Sequence, residues 1–252
     1  MRIEGAVALV TGASSGIGRA TALALAQRGA TVLLHGRNRV ALDEVADRTG
    51  GTVLVEDLVE PGGGRRLAER AVAVAGRLDI LVANAGVGSA GSFTTVPEDM
   101  PARLIAANLT APIELTRAVL PTMLVQGQGS IVLVTSIAGR MGVAGEAVYA
   151  ATKAGLDAFA ESLRLELSGT GVRVGVLVPG VVATEFFARR GRPYGRSRPR
   201  PRSPYAAAAR IVRLIETGRA EAYLPAWLRL PVAVRSVTPG LYRRLAARFG
   251  GS

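Results

Sequence analysis

The sequence predicts an α/β fold: one domain with a doubly wound parallel sheet and helices on both faces. Three observations predict it. Short apolar runs rich in Val, Leu and Ile recur along the chain, as strands buried on both faces would. Stretches of helical period alternate with them. A glycine-rich turn joins the first such pair. The length of 252 residues, 49% hydrophobic and 20% charged, is ample to bury one core.

"AVALVT" (6–11) is an apolar strand that ends at glycine, and "GIGRATALALAQRG" (16–29) is a helix stopped by Gly29. "TVLLHG" (31–36) is a second buried strand, followed by a polar helix over 38–49. "GTVLVED" (51–57) is a third strand and 61–76 a helix. "LDILVANAG" (78–86) is a strand, and 98–126 reads as two helices broken near Pro112. "SIVLVTS" (130–136) is a strand, 147–168 a helix and "VRVGVLVPG" (172–180) a strand. The stretch "RRGRPYGRSRPRPRSP" (189–204) is low-complexity and is expected to be mobile. A helix over 204–218, a short strand at 221–224 and a basic amphipathic tail complete the chain. No internal repeat is present. The domain is read as 1–226, with a C-terminal extension over 227–252.

The inventory of side chains excludes several chemistries. There is no cysteine and a single histidine, His35. Disulfides, thiolate catalysis, iron–sulfur clusters and Cys/His zinc sites are ruled out, and no metal site is expected. The N-terminal apolar run is short and leads straight into the glycine motif, which argues against a cleaved signal peptide. The uncharged stretch 118–139 is interrupted by Pro121 and by Gln126 to Gly129, so it reads as helix end, turn and strand rather than a membrane span. A soluble, cytoplasmic protein is expected. Charge is unevenly placed: residues 1–188 carry 16 basic and 17 acidic side chains, whereas 189–252 carry 15 arginines against Glu216 and Glu221. A near-neutral body therefore has a strongly basic C-terminal quarter.

"VTGASSGIG" (10–18) sets Gly12, Gly16 and Gly18 between strand and helix. Glycine permits the tight turn and the close approach of backbone to a pyrophosphate, while the helix N-terminus offers free N–H groups to the anion. An ordinary strand–helix turn would read the same over these residues alone. At the end of the second strand an acid would bind the ribose 2′-OH of NAD, whereas arginine accommodates the 2′-phosphate of NADP. The chain has "LLHGRNR", with Arg37, Asn38 and Arg39 and no acid, which favours NADP(H) over NAD(H). Solvated surface arginines are the alternative. His35 reads as a strand-end residue near the adenosine.

Tyr149 and Lys153, in "YAATK", lie four residues apart on a predicted helix and share a face. Of the 31 cationic side chains, Lys153 is the only lysine. A free tyrosine is a poor acid or base at neutrality, and a nearby ammonium is expected to draw its pKa down. A compact lysine suits that task better than a planar arginine fork. Ser136 ends the preceding strand, where a hydroxyl can bind a carbonyl oxygen as it gains charge. Alone it reads equally as a turn serine.

Together, "TGASSGIG", "NAG" (84–86), Asn108 in "AANLT", Ser136, "YAATK" and "PGVVAT" (179–184) resemble the short-chain dehydrogenase/reductase family over about residues 3–225. The resemblance implies a Rossmann-like seven-stranded sheet and NAD(P)-dependent chemistry on a carbonyl or secondary alcohol. It implies that Tyr149 donates or accepts the proton, that Ser136 positions the carbonyl, and that Lys153 binds the nicotinamide ribose and lowers the tyrosine pKa. Asn108 would hold a water in the proton relay. Cofactor contacts would come from Gly12, Ser14, Ser15, Gly16, Ile17, Gly18, Arg37 and Asn38. Asp57 and Leu58 would flank the adenine, and Asn84, Ala85 and Gly86 would line the cleft. Pro179, Gly180, Val182 and Thr184 would complete it beside Tyr149 and Lys153, with Val182 and Thr184 meeting the carboxamide. Ala83 stands where the family often has a first Asn. A homodimer or homotetramer would form through the helices around 102–126 and 147–168.

Phe186 and Phe187 could line an apolar substrate pocket or pack in a lid, and the arginines after them could attract an anionic substrate or simply be solvated. The tail (227–250) mixes Trp227, Leu228, Leu241, Tyr242, Leu245 and Phe249 with arginines. It fits a helix on anionic lipid or one packed on the fold or a partner subunit. A regulatory protein acting through this basic region, at a membrane or on nucleic acid, is the second functional reading. Nucleic acid is the less favoured partner, because no nucleic-acid-binding motif is present.

Overall fold

The computed structural model describes residues 1–195, 198–240 and 242–244. Of the sequence expectations, those on Arg196, Leu241, Leu245 and Phe249 lie outside the described residues. Seven parallel strands form one sheet: β1 (Val7–Thr11), β2 (Thr31–Gly36), β3 (Thr52–Val55), β4 (Ile80–Ala83), β5 (Gly129–Val134), β6 (Val172–Pro179) and β7 (Glu221–Leu224), in the order β3-β2-β1-β4-β5-β6-β7. The expected Rossmann-like, doubly wound architecture is found. The strand order reverses between β1 and β4, and in such sheets the crevice beyond the carboxyl ends at that point is where ligands bind.

The helices are α1 (Gly16–Ala26), α2 (Arg39–Thr49), α3 (Gly63–Ala75), α4 (Met100–Ile105), α5 (Ala111–Val125), α6 (Ile137–Met141), α7 (Ala147–Glu166), α8 (Phe186–Arg189), α9 (Pro204–Thr217) and α10 (Arg229–Val237). Two apolar layers hold them to the sheet. Alternation within each strand divides the layers: Leu9, Ile131 and Leu133 face Leu67, Leu115 and Leu156 of α3, α5 and α7. Ala8, Val10 and Val132 face Leu25, Val45 and Ile211 of α1, α2 and α9. Each strand is thus apolar on both faces, which is why its sequence reads as a continuous run.

Two differences from the sequence reading concern the site. The expected break near Pro112 is a single π turn, Ala106–Thr110, that joins α4 to α5. Proline takes the start of α5, where a missing N–H is tolerated. The expected strand over 78–86 stops at Ala83, because Asn84 and Ala85 turn to donate their N–H groups to the Thr11 hydroxyl at 2.9 Å each.

Candidate active site

The ends of β1 and β4 are tied together at the reversal of strand order. Beside the two N–H groups on the Thr11 hydroxyl, Asn84 Nδ2 donates to the Thr11 carbonyl at 2.9 Å. Gly12 follows with φ +68°, and a Cβ there would lie 2.9 Å from Asn84 Nδ2. A Cβ on Gly18 would lie 2.1 Å from the Gly12 carbonyl oxygen, so Gly18 lets α1 pack against the loop from behind. Ser15 precedes α1 in an extended conformation with no side-chain cap, and no acid occupies the first turn. The free N–H groups and positive end of α1 therefore face the cleft, a cradle suited to a diphosphate.

At the far end of β2, His35 is 2% exposed and its Nε2 lies 3.1 Å from the Glu56 carbonyl oxygen. Burial lowers its pKa to about 4, so the ring is neutral at pH 7. Arg37 and Asp57 stand 3.9 Å apart at the rim, and with Leu58 they line the cleft. Asn38 is turned elsewhere: its Oδ1 accepts from the Ala41 N–H at 3.1 Å and caps α2. Arg39 pairs with Asp43 at 2.9 Å along the same helix.

The cleft has a volume of about 1600 Å³, above the usual range for one small ligand and roomy enough for a dinucleotide and a second molecule. Ser14, Ser15, Gly16, Ile17, Ala85, Gly86, Pro179, Gly180, Val182 and Thr184 line it, together with Ser136, Tyr149 and Lys153. Gly18, Asn38 and Asn108 are not among the lining residues. Ser136 caps α6, its Oγ accepting from the Ala138 N–H at 3.1 Å. Tyr149 and Lys153 are 7% and 4% exposed on α7. Lys153 Nζ donates to the Val134 carbonyl at 3.0 Å and lies 5.9 Å from the centroid of the Tyr149 ring.

The expected depression of the phenol pKa is not found. Burial raises Tyr149 to about 12; Ser136 hydrogen bonding and Arg190 pull it down, and Glu146 pushes it up. Lys153 is itself lowered to about 8 by burial, against a partial restoring pull from Asp157. Desolvation dominates both groups, because removal from water penalises the charged form of each. At neutral pH the phenol keeps its proton.

Asn108 sits in the π turn, fully buried behind the cleft wall. Its Oδ1 accepts from the Val87 N–H at 2.8 Å and its Nδ2 donates to the Val87 carbonyl at 2.9 Å. Its Nδ2 also lies 3.4 Å from the Thr152 hydroxyl on α7, so the side chain is engaged on both sides.

Sequence reasoning missed Thr11, Glu146 and Arg140 here, and left two readings open for Phe186 and for the arginines after it. Thr11 joins the strand ends. Phe186 lies 5.6 Å from Tyr149, ring centroid to centroid. Arg190 and Glu146 form an ion pair within the cleft lining. Arg140 binds Asp157 at 2.7 Å and Glu221 at 3.4 Å, tying α6 to α7 and β7. One signal was readable: Glu146 is a carboxylate three residues before Tyr149 in an otherwise uncharged loop, "MGVAGEAVY". Among the described residues no three His, Cys, Asp or Glu side chains are grouped to hold a metal. No described helix is long and apolar enough to cross a membrane.

Comparison with known proteins places these features in context. The short chain dehydrogenase profile matches residues 6–194. An uncharacterized oxidoreductase of Myxococcus xanthus is 38% identical over 246 residues, 96% of each chain. A short-chain dehydrogenase from Sphingobium yanoikuyae, solved with NADPH, superposes with a TM-score of 0.81 at 30% identity, covering 96% of this chain and 95% of that one. A 3-oxoacyl (acyl-carrier-protein) reductase from Agrobacterium tumefaciens, solved with NADP, gives a TM-score of 0.78 at 30% identity over 88% and 93%.

Proposed function

The chain belongs to the short-chain dehydrogenase family, and from that premise we propose that this oxidoreductase uses NADP(H) to interconvert a carbonyl compound and its secondary alcohol, with Tyr149 as the proton donor. The observation that carries the reading is the convergence of Ser136, Tyr149 and Lys153 on the cleft that begins at the glycine loop. Gly12 to Ile17 would hold the diphosphate, Arg37 the 2′-phosphate, and Lys153 the nicotinamide ribose. The bound dinucleotide supplies or takes up the hydride.

The chain's own residues do the rest. Ser136 directs its hydroxyl at the substrate oxygen and orients it. Tyr149, a neutral phenol at pH 7 that burial makes a still weaker acid, donates its proton to that oxygen as negative charge develops there. Lys153, still charged below about pH 8, stabilises the phenolate that remains. Asn108, in the π turn behind the cleft wall, would hold a water for returning the proton. Asn38, its side chain engaged at the α2 cap, has its backbone to offer the cofactor. Exposed Ile105, Leu124, Val125 and Leu165 on α4, α5 and α7 support a homodimer or homotetramer through those helices. The regulatory reading is not favoured by membership of this family.

A panel of ketones and secondary alcohols assayed with NADPH and NADH in parallel tests this proposal. Turnover is expected with NADPH preferred. Arg37→Ala should weaken NADPH binding about 10–100-fold, the worth of a charge-assisted hydrogen bond to phosphate, and leave NADH unchanged. Absence of turnover with either dinucleotide across the panel contradicts the oxidoreductase assignment.

A further inference from the structure

The Arg190–Glu146 ion pair lines the same cleft as Ser136, Tyr149 and Lys153. Both side chains are 11% exposed. Arg190 Nε donates to the Arg192 carbonyl at 3.2 Å, and the Arg190 carbonyl accepts from the Ala90 N–H at 3.1 Å, so the guanidinium is anchored. It lies 4.6 Å over the Phe187 ring, and Phe187 packs edge-on against Phe186, which in turn packs on Tyr149. Arg190 also acts electrostatically on the Tyr149 phenol. It is therefore a fixed, dry cation within reach of the proton donor.

Its partner, Glu146, is the carboxylate bonded to it. Desolvation raises the Glu146 pKa despite the adjacent guanidinium. A buried pair of this kind contributes little stability, yet removal of one partner leaves the other uncompensated. The cleft lining has many cations and few anions near this end. Arg103, Arg192 and Arg243 line it with Arg190, whereas Glu146 is the one carboxylate among the lining residues away from Glu56 and Asp57. Met141, Val143 and Phe186 add apolar surface to the same lining.

We propose that Arg190 recognises an anionic group, a carboxylate or a phosphate monoester, on an otherwise apolar carbonyl substrate, with Glu146 as the resident anion that the substrate displaces. This rests on the carbonyl-reducing reading of the same cleft. The planar guanidinium accepts either anion bidentately, so displacement keeps the buried cation paired. Glu146, freed from Arg190, takes up one proton from solvent. The charged and titratable groups acting on or with it are Arg190, from the segment after α8, and Tyr149 on its own side of the cleft.

Calorimetric titration of the full chain with octanoate, octyl phosphate and octanol, in the presence of NADPH and again without it, tests the proposal. The two anions should bind at least about tenfold more tightly than octanol. Their binding should be accompanied by proton uptake, read as a dependence of the heat on buffer ionisation. Arg190→Gln should abolish the preference. Glu146→Gln should tighten anion binding and remove the proton uptake, a gain that a merely structural latch would not produce. Equal affinity for octanol and the anions, an unchanged preference in Arg190→Gln, or weaker anion binding in Glu146→Gln would overturn it. Failure of the unmodified chain to bind NADPH in the same series would instead count against the cofactor reading, and the titrations without NADPH would still decide the anion site.

Discussion

Lys153 carries a stability cost whose sign can be worked out. Its folded pKa of about 8 lies below the ordinary lysine value of 10.5. The unfolded chain therefore binds more protons between those values, and the stability lost at neutral pH returns as pH rises through that window. A shift of this size is worth about 3 kcal/mol at neutral pH. Lys153→Met should accordingly raise the melting temperature of the cofactor-free protein by a few degrees at pH 7. The gain should vanish above pH 10.5, where lysine is neutral in both states. Tyr149 behaves oppositely: its raised pKa contributes stability below pH 10 that is lost towards about 12. Both residues were legible in the sequence, because a spacing of four on a helix guarantees a shared face. The direction of the tyrosine shift was not. It depends on how completely the surrounding strands and Phe186 exclude water, which no local pattern encodes.

At the scale of elements, the site is assembled from strand and helix ends, and these were read unequally. Apolar runs and glycine stops gave away every strand and the long helices. Helix α6, only Ile137–Met141, carries too few residues to show a period. The π turn at Ala106–Thr110 looks in sequence like a proline break, because proline alone does not say whether a helix stops or widens. Thr11 was missed since one threonine at a strand end is ordinary; only the fold brings Asn84 and Ala85 to it. Thr11→Val keeps the shape of a buried side chain but strands the Ala85 N–H, while the Asn84 N–H keeps the Val82 carbonyl at 3.1 Å, and should lower stability by about 1–3 kcal/mol in urea unfolding. A cost near zero would mean that β4 does not depend on that hydroxyl for its turn.

For the whole molecule, α9 and β7 build the basic C-terminal quarter into the core, and the tail after them meets the body at α6. Arg235 donates to the Arg140 carbonyl, and the Tyr242 hydroxyl donates to the Met141 carbonyl at 2.6 Å. The described part of the tail thus packs back beside the active site, which the composition of the tail left open. Arg140 is the centre of this join, held by carboxylates 17 and 81 positions away in sequence, Asp157 and Glu221. Such long-range ion pairs are invisible to periodicity. Arg140→Met should cost about 3–5 kcal/mol, because Asp157 is left buried without its partner. Adding Asp157→Asn should restore a large part of it, and a denaturant series on the two variants reads the difference.

The account as a whole depends on a neutral phenol at position 149 giving up its proton as the substrate oxygen gains charge. The most direct measurement is single-turnover oxidation of bound NADPH by a substrate from the panel, comparing Tyr149→Phe with the unaltered chain, alongside a fluorescence titration of NADPH. The account predicts equal NADPH affinity and a rate about 10²–10⁴-fold lower in the variant. An undiminished rate with phenylalanine at 149 would contradict it.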